Sequence, residues 1–322
     1  MVAVSVVIPV HNRVRTLART VRSVISQTLS DWEVIVVDDG SSDGSAELAE
    51  SFQGRDKRIR VIAQPHWGPG QARNLGARKS SGDFVYFLDS DDEILPNALE
   101  ELLHKARNDS LDLLFFDPVA RVHKRLSRKT RVLRSLLESR VSKGTDYLNQ
   151  AVDAKCFRFS PCLQFVRREA LEASGVTFPD HLVTEDAVYT TTMVLACDRV
   201  AYLQKSLFMR HLQSDSITKT APNIEALRGA LRSYEALATL RENLVEQGRN
   251  VVGLDKLMQR LWVFAQNQFD RMPRQARDAL QERNLRLSQS GISSRFLEEA
   301  RSMTLLRWSR RKLGIFAPAR LL

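Results

Sequence analysis

The chain has 322 residues, of which 43% are hydrophobic and 27% charged, and its formal net charge is +10. This composition predicts a globular protein with one large domain and an appendage, and no stretch approaches the length of a membrane span. The first apolar run, in MVAVSVVIPVHN, has no basic segment before it, so we expect a first strand there rather than a signal peptide. The three cysteines are odd in number and lack metal-ligand spacing, which predicts unpaired thiols.

Five short apolar runs rich in β-branched and aromatic residues predict strands at 4–10, 33–39, 59–63, 84–89 and 111–116. Segments with helical spacing or helix-start signals lie between them. The first contains Leu17, Val21 and Val24, and the later ones read SDGSAELAESF, PGQARNLGARKS and PNALEELLHKAR. Strands that alternate with helices at this rhythm predict an α/β fold, with a mostly parallel sheet and helices on both faces.

Clusters of polar residues follow the first four predicted strands, at their carboxyl ends. They read His11-Asn12-Arg13, Asp38-Asp39-Gly40, Gln71-Ala72-Arg73-Asn74 and Asp89-Ser90-Asp91-Asp92. In an open parallel sheet, ligands bind in the crevice beyond these ends. The sequence therefore predicts one binding site built from four loops.

The acidic cluster after the fourth strand contains Asp89, Asp91, Asp92 and Glu93. One such aspartate could simply cap a helix or form a turn, as Asp92 could before Pro96. Several carboxylates within a few residues repel one another unless a cation lies between them, and Mg²⁺ and Mn²⁺ prefer such oxygen ligands. Because Mg²⁺ is usually shared between one or two carboxylates and substrate phosphates, the cluster indicates a diphosphate ligand.

The other strand ends suit a nucleotide. Asp39 can accept a hydrogen bond from a pyrimidine ring N–H or a ribose hydroxyl, and Gly40 permits close approach of the backbone. Arg73, near a helix start, can bind phosphate oxygens. The chain has no G-x-G-x-x-G after the first strand and no Walker A sequence, which argues against dinucleotide and ATP sites.

Four segments carry a resemblance to a known family: VSVVIPVHN, VVDDGSSDGS, GPGQARNLGA and FVYFLDSDDEILP. In this order and at this spacing they resemble the family 2 inverting glycosyltransferases with the GT-A (Rossmann-like) fold, over residues 4 to about 110. Further on, PDHLVTEDAVYTTTMVLAC and RHLQSDSIT are more loosely similar to the acceptor-side motifs of members that extend bacterial surface polysaccharides and teichoic acids.

The resemblance implies a role for each matching residue. Asp186 would be the catalytic base, and Glu185 would support the acceptor. Asp91 would hold a metal ion, and His211 would complete the metal or diphosphate site. The nucleotide-sugar would be bound by Pro9, His11, Asn12, Arg13, Asp39, Arg73, Asn74, Asp89 and Ser90. Many family members have Tyr at the position of His11, so this chain departs from the family pattern there.

We expect a catalytic domain at residues 1–220 and a helical C-terminal region at 221–322. Within the first, residues 1–115 would bind the nucleotide-sugar, 116–154 would form a basic insertion and 155–220 would form the acceptor-side half. Near the C-terminus, basic residues are interleaved with Trp308, Leu313 and Phe316. This pattern is typical either of a helix that lies on anionic lipid or of a helix packed on the catalytic domain with a solvated basic face.

The predicted function is metal-dependent transfer of a hexose or N-acetylhexosamine from a nucleotide-sugar, with UDP as the expected carrier and Mn²⁺ or Mg²⁺ as the cofactor. The expected acceptor is a hydroxyl of a bacterial surface glycan, of a polyol-phosphate polymer such as teichoic acid, or of a lipid-linked glycan. We expect a cytoplasmic location, peripheral at the inner face of the plasma membrane through the basic C-terminal helix, and no nucleic-acid partner.

Two other classes of protein stay open as alternatives. A nucleotidyltransferase also uses paired acids and a parallel sheet, but it would show a Gly-rich basic loop after the first strand, and HNRVRT departs from that pattern. A polyanion-binding protein without enzymatic activity is suggested by the net charge alone. Its binding to nucleic acid would depend strongly on salt, and the basic runs lack aromatic residues at a recognisable spacing.

Overall fold

The structure is a computed structural model that describes residues 2–119, 137, 140–180, 184–211 and 224–275. Within these ranges eight strands form one sheet, and nine α-helices alternate with the strands or follow them. The strands are β1 (Val4–Val10), β2 (Trp32–Asp39), β3 (Ile59–Gln64), β4 (Phe84–Phe87), β5 (Glu93–Ile94), β6 (Leu113–Pro118), β7 (Gln164–Arg167) and β8 (Val200–Met209). The helices are α1 (Leu17–Ile25), α2 (Ser45–Gln53), α3 (Pro69–Arg78), α4 (Ala98–Asn108), α5 (Gly144–Asp153), α6 (Arg168–Ser174), α7 (Glu185–Ala196), α8 (Ile224–Glu246) and α9 (Val252–Asp270).

The strands lie in the order β3-β2-β1-β4-β7-β6-β8-β5. Strand β1 pairs in parallel with β2 and β4, and β2 pairs in parallel with β3, so four carboxyl ends lie at the same edge of the sheet. The other half is mixed, because β7 is antiparallel to both β4 and β6 whereas β8 is parallel to β6. The predicted α/β fold with a mostly parallel sheet is confirmed, and β5, β7 and β8 are strands that the apolar runs do not predict.

The sheet is covered on both faces in its N-terminal half. Every residue of β1 and β2 is buried, which is why their sequences are continuously apolar rather than alternating. Val6 and Ile8 belong to an apolar cluster with Leu17 of α1, whereas Val7 between them belongs to a second cluster with Tyr189 of α7. Successive residues of a strand point to opposite faces, so helices on both sides exclude water from β1.

Helix α3 lies close to β1 because position 76 has no side chain. A Cβ atom on Gly76 would lie 2.2 Å from Cγ1 of Val7, which is fully buried. We expect Gly76→Ala to lower the free energy of unfolding by about 1–3 kcal/mol, because the added methyl group overpacks the core. At an open helix position the same change would stabilise by up to about 1 kcal/mol.

Chemical denaturation measures the sign of this effect. The control is Gly54→Ala after α2, where an added Cβ would have no neighbour nearer than 3.6 Å. A Gly76→Ala protein as stable as the unchanged protein would contradict the close packing of α3, the helix that carries Arg73 and Asn74.

Residues 1–266 form one compact unit and residues 267–322 a second. The first unit extends beyond the predicted domain end at residue 220 and includes α8, where the Ser233 hydroxyl lies 2.6 Å from that of Thr184, next to α7. Of the predicted basic insertion, the structure describes 116–119, 137 and 140–154, and the basic C-terminal segment lies outside the described residues. The predictions for those two segments stay predictions.

Two expectations from composition can be compared with the described residues. Cys156, Cys162 and Cys197 are buried and free of disulfides, as predicted. In the part of the chain that the structure describes, every helix is too short or too polar to cross a membrane.

Candidate active site

The loops that follow the first four strands meet at one edge of the sheet. Nδ1 of His11 donates a hydrogen bond to the carbonyl oxygen of Asp39 at 2.9 Å, which joins the ends of β1 and β2. Arg73 in α3, the helix after β3, contacts Asp89 after β4 at 2.8 Å. Pro9 lies within β1, one residue before its end. The four strand ends therefore lie at one edge of the sheet, as predicted, and the prediction of one binding site there stays a prediction.

The carboxylate of Asp39 is buried and fully hydrogen-bonded. Its Oδ1 accepts hydrogen bonds from the side-chain amide of Gln64 (2.6 Å) and the backbone N–H of Trp67 (2.8 Å). Its Oδ2 accepts from Nδ1 of His66 (2.8 Å) and the backbone N–H of Gly68 (3.0 Å). Because a carboxylate offers about four acceptor positions, Asp39 has none to spare and fixes the loop between β3 and α3.

The imidazole rings of His11 and His66 stack on each other. Their centroids are 3.9 Å apart and their planes differ by 23°. Nε2 of His11 lies 3.2 Å from the side-chain amide of Asn12, so one neutral tautomer satisfies both contacts: Nδ1–H donates to Asp39 and Nε2 accepts from Asn12. The exposed fraction of the His66 side chain is 60%, so this ring forms the outer layer of the stack.

His11, Asp39 and His66 also form a group that could hold a metal ion, since their ligand atoms lie within 4.8 Å of one another. The ring geometry fits a cation poorly. Nearly parallel rings direct their in-plane lone pairs side by side rather than towards one point. The carboxylate of Asp39, moreover, already accepts four hydrogen bonds. The stacked rings are better suited to contact a flat aromatic ligand.

Asn12 and Arg13 hold the loop after β1 against the loop after β2. Asn12 has φ +53°, a left-handed conformation that Asn adopts more readily than most residues, and its Oδ1 accepts a hydrogen bond from the N–H of Ser42 at 2.9 Å. The N–H of Arg13 donates to the Ser45 hydroxyl at 2.7 Å. Removal from water raises the pKa of Asp91, and the charge of the Arg13 guanidinium partly opposes this shift.

Arg73 connects the acidic loop after β4 to the first turn of α7. Its guanidinium is buried and contacts three carboxylates, at 2.8 Å from Asp89, 3.3 Å from Asp186 and 3.6 Å from Glu185. Burial alone would raise the pKa of Asp89, but the charge of Arg73 outweighs it and holds that pKa below its usual value. Arg73 therefore joins the carboxylates of the loop after β4 and of the first turn of α7 in one ionic network.

Asn74 is one of the residues predicted to bind the nucleotide-sugar, and both polar atoms of its side-chain amide are hydrogen-bonded to the backbone of Phe178. The amide nitrogen donates to the carbonyl oxygen at 2.8 Å, and the amide oxygen accepts from the N–H at 2.8 Å. Gln71, one turn earlier, donates to the carboxylate of Asp180. Phe178 in turn stacks on Tyr189 at 3.8 Å. Asn74 and Gln71 thus attach α3 to the segment that leads into α7.

The acidic loop, residues 89–93, is held in place by α1. The hydroxyls of Thr16 and Thr20 donate to the carbonyl oxygens of Ser90 (2.9 Å) and Asp92 (2.7 Å). Removal from water, reinforced by the charge of Asp89, raises the pKa of Asp91. Removal from water also raises the pKa of Asp92 to about 7. A cation between these crowded carboxyls would favour their ionised form, and their oxygens are a donor set that fits Mg²⁺ or Mn²⁺.

His211 adjoins this acidic loop, as the resemblance implies. Its Nε2 lies 2.6 Å from a carboxylate oxygen of Glu93, and its backbone N–H donates to Asp92 at 2.7 Å. Glu93 also contacts Arg19 at 3.2 Å. Glu93 is therefore a neighbour of His211 that the sequence did not indicate.

Glu185 and Asp186 form the first turn of α7. Removal from water raises the pKa of the Asp186 carboxyl to about 7; Arg73 opposes this shift and the charge of Glu185 reinforces it. Burial likewise raises the pKa of Glu185. The side chain of Asp186 is 35% exposed and that of Glu185 only 12%. A carboxylate that titrates near neutral pH and remains accessible can act as a general base, which favours Asp186 for that role.

Arg210 is a site residue that sequence reasoning missed. It is exposed and follows the last residue of β8. Its positive charge lowers the pKa values of four carboxyls, namely Asp89, Asp91, Asp92 and Asp186. An exposed arginine beside an acidic loop can bind phosphate oxygens, which the buried Arg73 reaches less easily. The only sequence signal was its position next to His211.

Comparisons with known proteins give consistent matches. The model of Glycosyl transferase family 2 matches residues 5–175, more than half of the chain. The uncharacterized glycosyltransferase EpsJ of Bacillus subtilis (strain 168) is 30% identical over 67% of this chain, and the match spans 63% of that relative's length. The uncharacterized glycosyltransferase YibD of Escherichia coli (strain K12) is 28% identical over 79% of this chain and 73% of its own.

Among solved structures, S. aureus TarS 1–349 in complex with UDP-GlcNAc is similar to this chain with a TM-score of 0.63 and 20% identity. The similarity covers 81% of this chain and 71% of that one. The same TarS fragment in complex with UDP has a TM-score of 0.56 and 21% identity, covering 73% of this chain and 65% of that one. At this level of identity the similarity shows a shared fold.

Proposed function

Because this chain belongs to glycosyl transferase family 2, we propose that it transfers a sugar from a UDP-sugar to an acceptor hydroxyl, with inversion at the anomeric carbon and Asp186 as the base. Membership of the family makes the chain a glycosyltransferase, the class that the four ordered motifs predict. The observation that carries the finer proposal is the ionic link from Asp89 through Arg73 to Asp186. It supports the proposal because Asp186, whose carboxyl pKa is raised to about 7 by removal from water, is linked in this way to the acidic loop that would face the diphosphate.

The choice of a UDP donor rests on the stacked rings and on Asp39. TarS, which shares the fold, binds UDP-GlcNAc in one structure and UDP in another. In this chain His11 offers a flat ring to a base, and Asp39 offers a carboxylate beside it. Since Asp39 already accepts four hydrogen bonds, a pyrimidine N–H would replace one donor. Among these hydrogen-bond donors, His66 has an exposed side chain, so the pyrimidine would displace the His66 ring.

The remaining donor contacts follow from the same geometry. Asp89 and Ser90 would contact the ribose, and the exposed charge of Arg210, together with Arg13, would bind the diphosphate. Pro9, Asn12 and Asn74 would shape the walls of this pocket through the strand pairing and hydrogen bonds described above.

The proposed reaction is a single displacement. The acceptor oxygen attacks the anomeric carbon as its proton passes to the carboxylate of Asp186. The bond between that carbon and the diphosphate oxygen breaks, and its electron pair stays with the departing nucleotide. Glu185, less exposed than Asp186, would orient the acceptor by accepting a hydrogen bond. This course requires no covalent intermediate with the enzyme.

Asp91, with Asp89 and His211 nearby, would hold Mg²⁺ or Mn²⁺. A bound divalent cation would neutralise the negative charge of the leaving diphosphate. For the acceptor we propose a bacterial surface glycan, a polyol-phosphate polymer or a lipid-linked glycan, with the enzyme peripheral at the cytoplasmic face of the membrane. The basic segments at 121–140 and 307–320, largely outside the described residues, are the part of the sequence that supports contact with an anionic polymer or lipid.

Calorimetric titration with UDP, in the presence and absence of Mn²⁺, tests the donor proposal. We expect UDP to bind, Mn²⁺ to strengthen the binding, and GDP to bind more weakly, because its two-ring purine is larger and holds its ring N–H at a different position from the uracil N–H that would meet Asp39. Tighter binding of GDP would contradict the assignment of Asp39 and His11. Failure of UDP, CDP, TDP and GDP alike to bind would overturn the proposed donor site.

The pH dependence of transfer tests the assignment of the base. Asp186 must be ionised to accept a proton, and its pKa is raised to about 7, so we expect kcat/KM to fall about tenfold per pH unit below neutrality and to level off above it. The charge of Glu185 raises the pKa of Asp186. Glu185→Gln should therefore shift the acidic limb of the profile to lower pH, whatever its effect on the maximum rate.

A matched control is Glu169→Gln, which removes the same charge from an exposed position in α6. Its profile should coincide with that of the unchanged protein. An acidic limb that stays in place in Glu185→Gln, or that moves to higher pH, would show that Asp186 is not the group whose titration limits the reaction.

A further inference from the structure

We propose that a pocket beside Trp67 binds one sugar ring of the acceptor, with the indole of Trp67 as the surface on which that ring lies. This inference adds an acceptor subsite to the proposed function, and the identity of the ligand as the acceptor rests on that function. The pocket has a volume of about 250 Å³ and is lined by His66, Trp67, Gly68, Pro69, Gly70, Gln71, Pro179 and Glu185. It is smaller than the roughly 300–1,000 Å³ of pockets that enclose drug-sized ligands, and so suits a single ring better than a chain of sugars.

Trp67 exposes an unusual amount of aromatic surface for a residue whose backbone is fixed. Its side chain is 55% exposed, and among the described residues its ring has no stacking partner. Its N–H, by contrast, donates to buried Asp39 at 2.8 Å, and the next N–H, of Gly68, donates to the same carboxylate at 3.0 Å. The indole is therefore exposed to solvent while the backbone that carries it is fixed. This lowers the conformational entropy lost when a ligand covers the ring.

The opposite wall of the pocket is fixed as well. Pro179 follows Phe178, whose backbone N–H and carbonyl are both hydrogen-bonded to Asn74 at 2.8 Å. The first turn of α3 approaches this segment closely, because a Cβ on Gly70 would lie 3.1 Å from Cβ of Phe178 and 3.4 Å from Cγ of Glu185. Both walls are thus formed before any ligand binds, as expected for a specific site.

The chemistry of the lining matches a pyranose ring. Trp67, Pro69 and Pro179 are apolar, and the C–H groups on one face of a sugar ring carry the partial positive charge that the negative face of an indole attracts. Glu185 and Gln71 lie at the edge and can accept or share hydrogen bonds with the ring hydroxyls. A charged phosphate would be repelled by the carboxylate of Glu185.

The position of the pocket assigns it to the acceptor rather than to the donor. Besides His66, whose ring would give way to the uracil of the donor, it is lined by Glu185, the immediate neighbour of Asp186, and not by Asp89, Ser90 or Asp91. The donor sugar is bonded to the diphosphate and must lie beside that acidic loop. An acceptor hydroxyl has to reach Asp186, and a ring that contacts Glu185 would bring it there. Trp67 would therefore be a specificity-determining residue for the acceptor.

Binding and transfer experiments with Trp67→Ala and Trp67→Phe test this inference. Methyl glycosides of hexoses and N-acetylhexosamines serve as probes, and their binding to the full chain is followed by saturation-transfer NMR. We expect at least one glycoside to bind to the unchanged protein, to bind about tenfold more weakly to Trp67→Ala, and to recover most of this affinity in Trp67→Phe, which keeps an aromatic face. The KM for the same glycoside as acceptor should rise in parallel.

The affinity for UDP is the control for folding and for the source of the sugar. It should stay the same in Trp67→Ala, because the backbone bonds to Asp39 do not involve the side chain. If Trp67→Ala instead lowers the affinity for the UDP-sugar but not for UDP, the ring contacts the donor sugar and the acceptor assignment is wrong. Equal glycoside affinity in Trp67→Ala and the unchanged protein, or no glycoside binding at all, would also overturn the inference.

Failure of this inference can be told apart from failure of the proposed function. If the protein binds no nucleoside diphosphate, the donor site has failed, yet glycoside binding that depends on Trp67 would still establish a sugar subsite. If UDP binds as proposed and glycosides bind without regard to Trp67, the donor site stands and the Trp67 subsite does not.

Discussion

Asp186→Asn is expected to lower the rate of sugar transfer by about 10²- to 10⁴-fold, the usual contribution of a general base, while UDP binds with an affinity within about twofold of the original. The amide has the shape of the carboxylate but cannot accept the proton of the acceptor hydroxyl. Donor binding should survive because Asp89 keeps its contact with Arg73 at 2.8 Å, so the donor-side carboxylate stays in place.

The two quantities are measured separately, transfer by release of UDP and affinity by calorimetry. Asp198→Asn is the matched control, since it removes one carboxylate from an exposed position just beyond the end of α7. It should change neither the rate of transfer nor the affinity for UDP. Loss of UDP affinity as large as the loss of turnover in Asp186→Asn would assign this residue to donor binding and remove it from the role of base.

Asp91→Ala is expected to abolish the effect of Mn²⁺ on UDP binding. Removing a carboxylate that contacts the cation directly should weaken cation binding by at least about 100-fold, because even the residues that orient such ligands contribute 10- to 100-fold. UDP should then bind equally with and without Mn²⁺. Removal from water and the charge of Asp89 raise the pKa of Asp91, and a bound cation would favour the ionised carboxylate.

Calorimetric titration of UDP into Asp91→Ala, with and without Mn²⁺, makes the measurement, and Asp31→Ala, at an exposed position before β2, is the control. A Mn²⁺ effect that persists in Asp91→Ala would contradict the assignment of the metal to the acidic loop. The group formed by His11, Asp39 and His66 would then be the alternative metal site, and His66→Ala would remove the effect of Mn²⁺ on UDP binding.

The first half of the fold could be predicted because its signals are local. Continuous apolar runs mark β1 and β2, since both faces of these strands are covered, and polar residues begin where the strands end. The strand predicted at 84–89 ends earlier, at Phe87, which is the last residue of β4 paired with β1. The four-residue strand β7 could not be predicted, because its antiparallel place between β4 and β6 is determined by packing rather than by its own sequence.

The composition of the site was predictable, but the contacts of its residues were not. The motifs bring Arg73 and Asp89 near each other, yet nothing in the sequence indicates that one buried guanidinium would also contact Glu185 and Asp186, more than 100 positions away. Likewise, four hydrogen bonds to Asp39 depend on the path of the loop after β3. Arg210 reaches the acidic carboxyls only because β8 pairs with the short strand β5, a register that no local pattern indicates.

The central claim is a single displacement from a nucleotide-sugar with Asp186 as the base. The most direct measurement is ¹H NMR of the sugar formed when the full chain is incubated with a panel of UDP-sugars and Mn²⁺, with water or a methyl glycoside as the acceptor. We predict UDP release and a first-formed product whose anomeric configuration is opposite to that of the donor, with both lost in Asp186→Asn. A product that retains the donor configuration, or an Asp186→Asn protein that releases UDP at the original rate, would contradict the account.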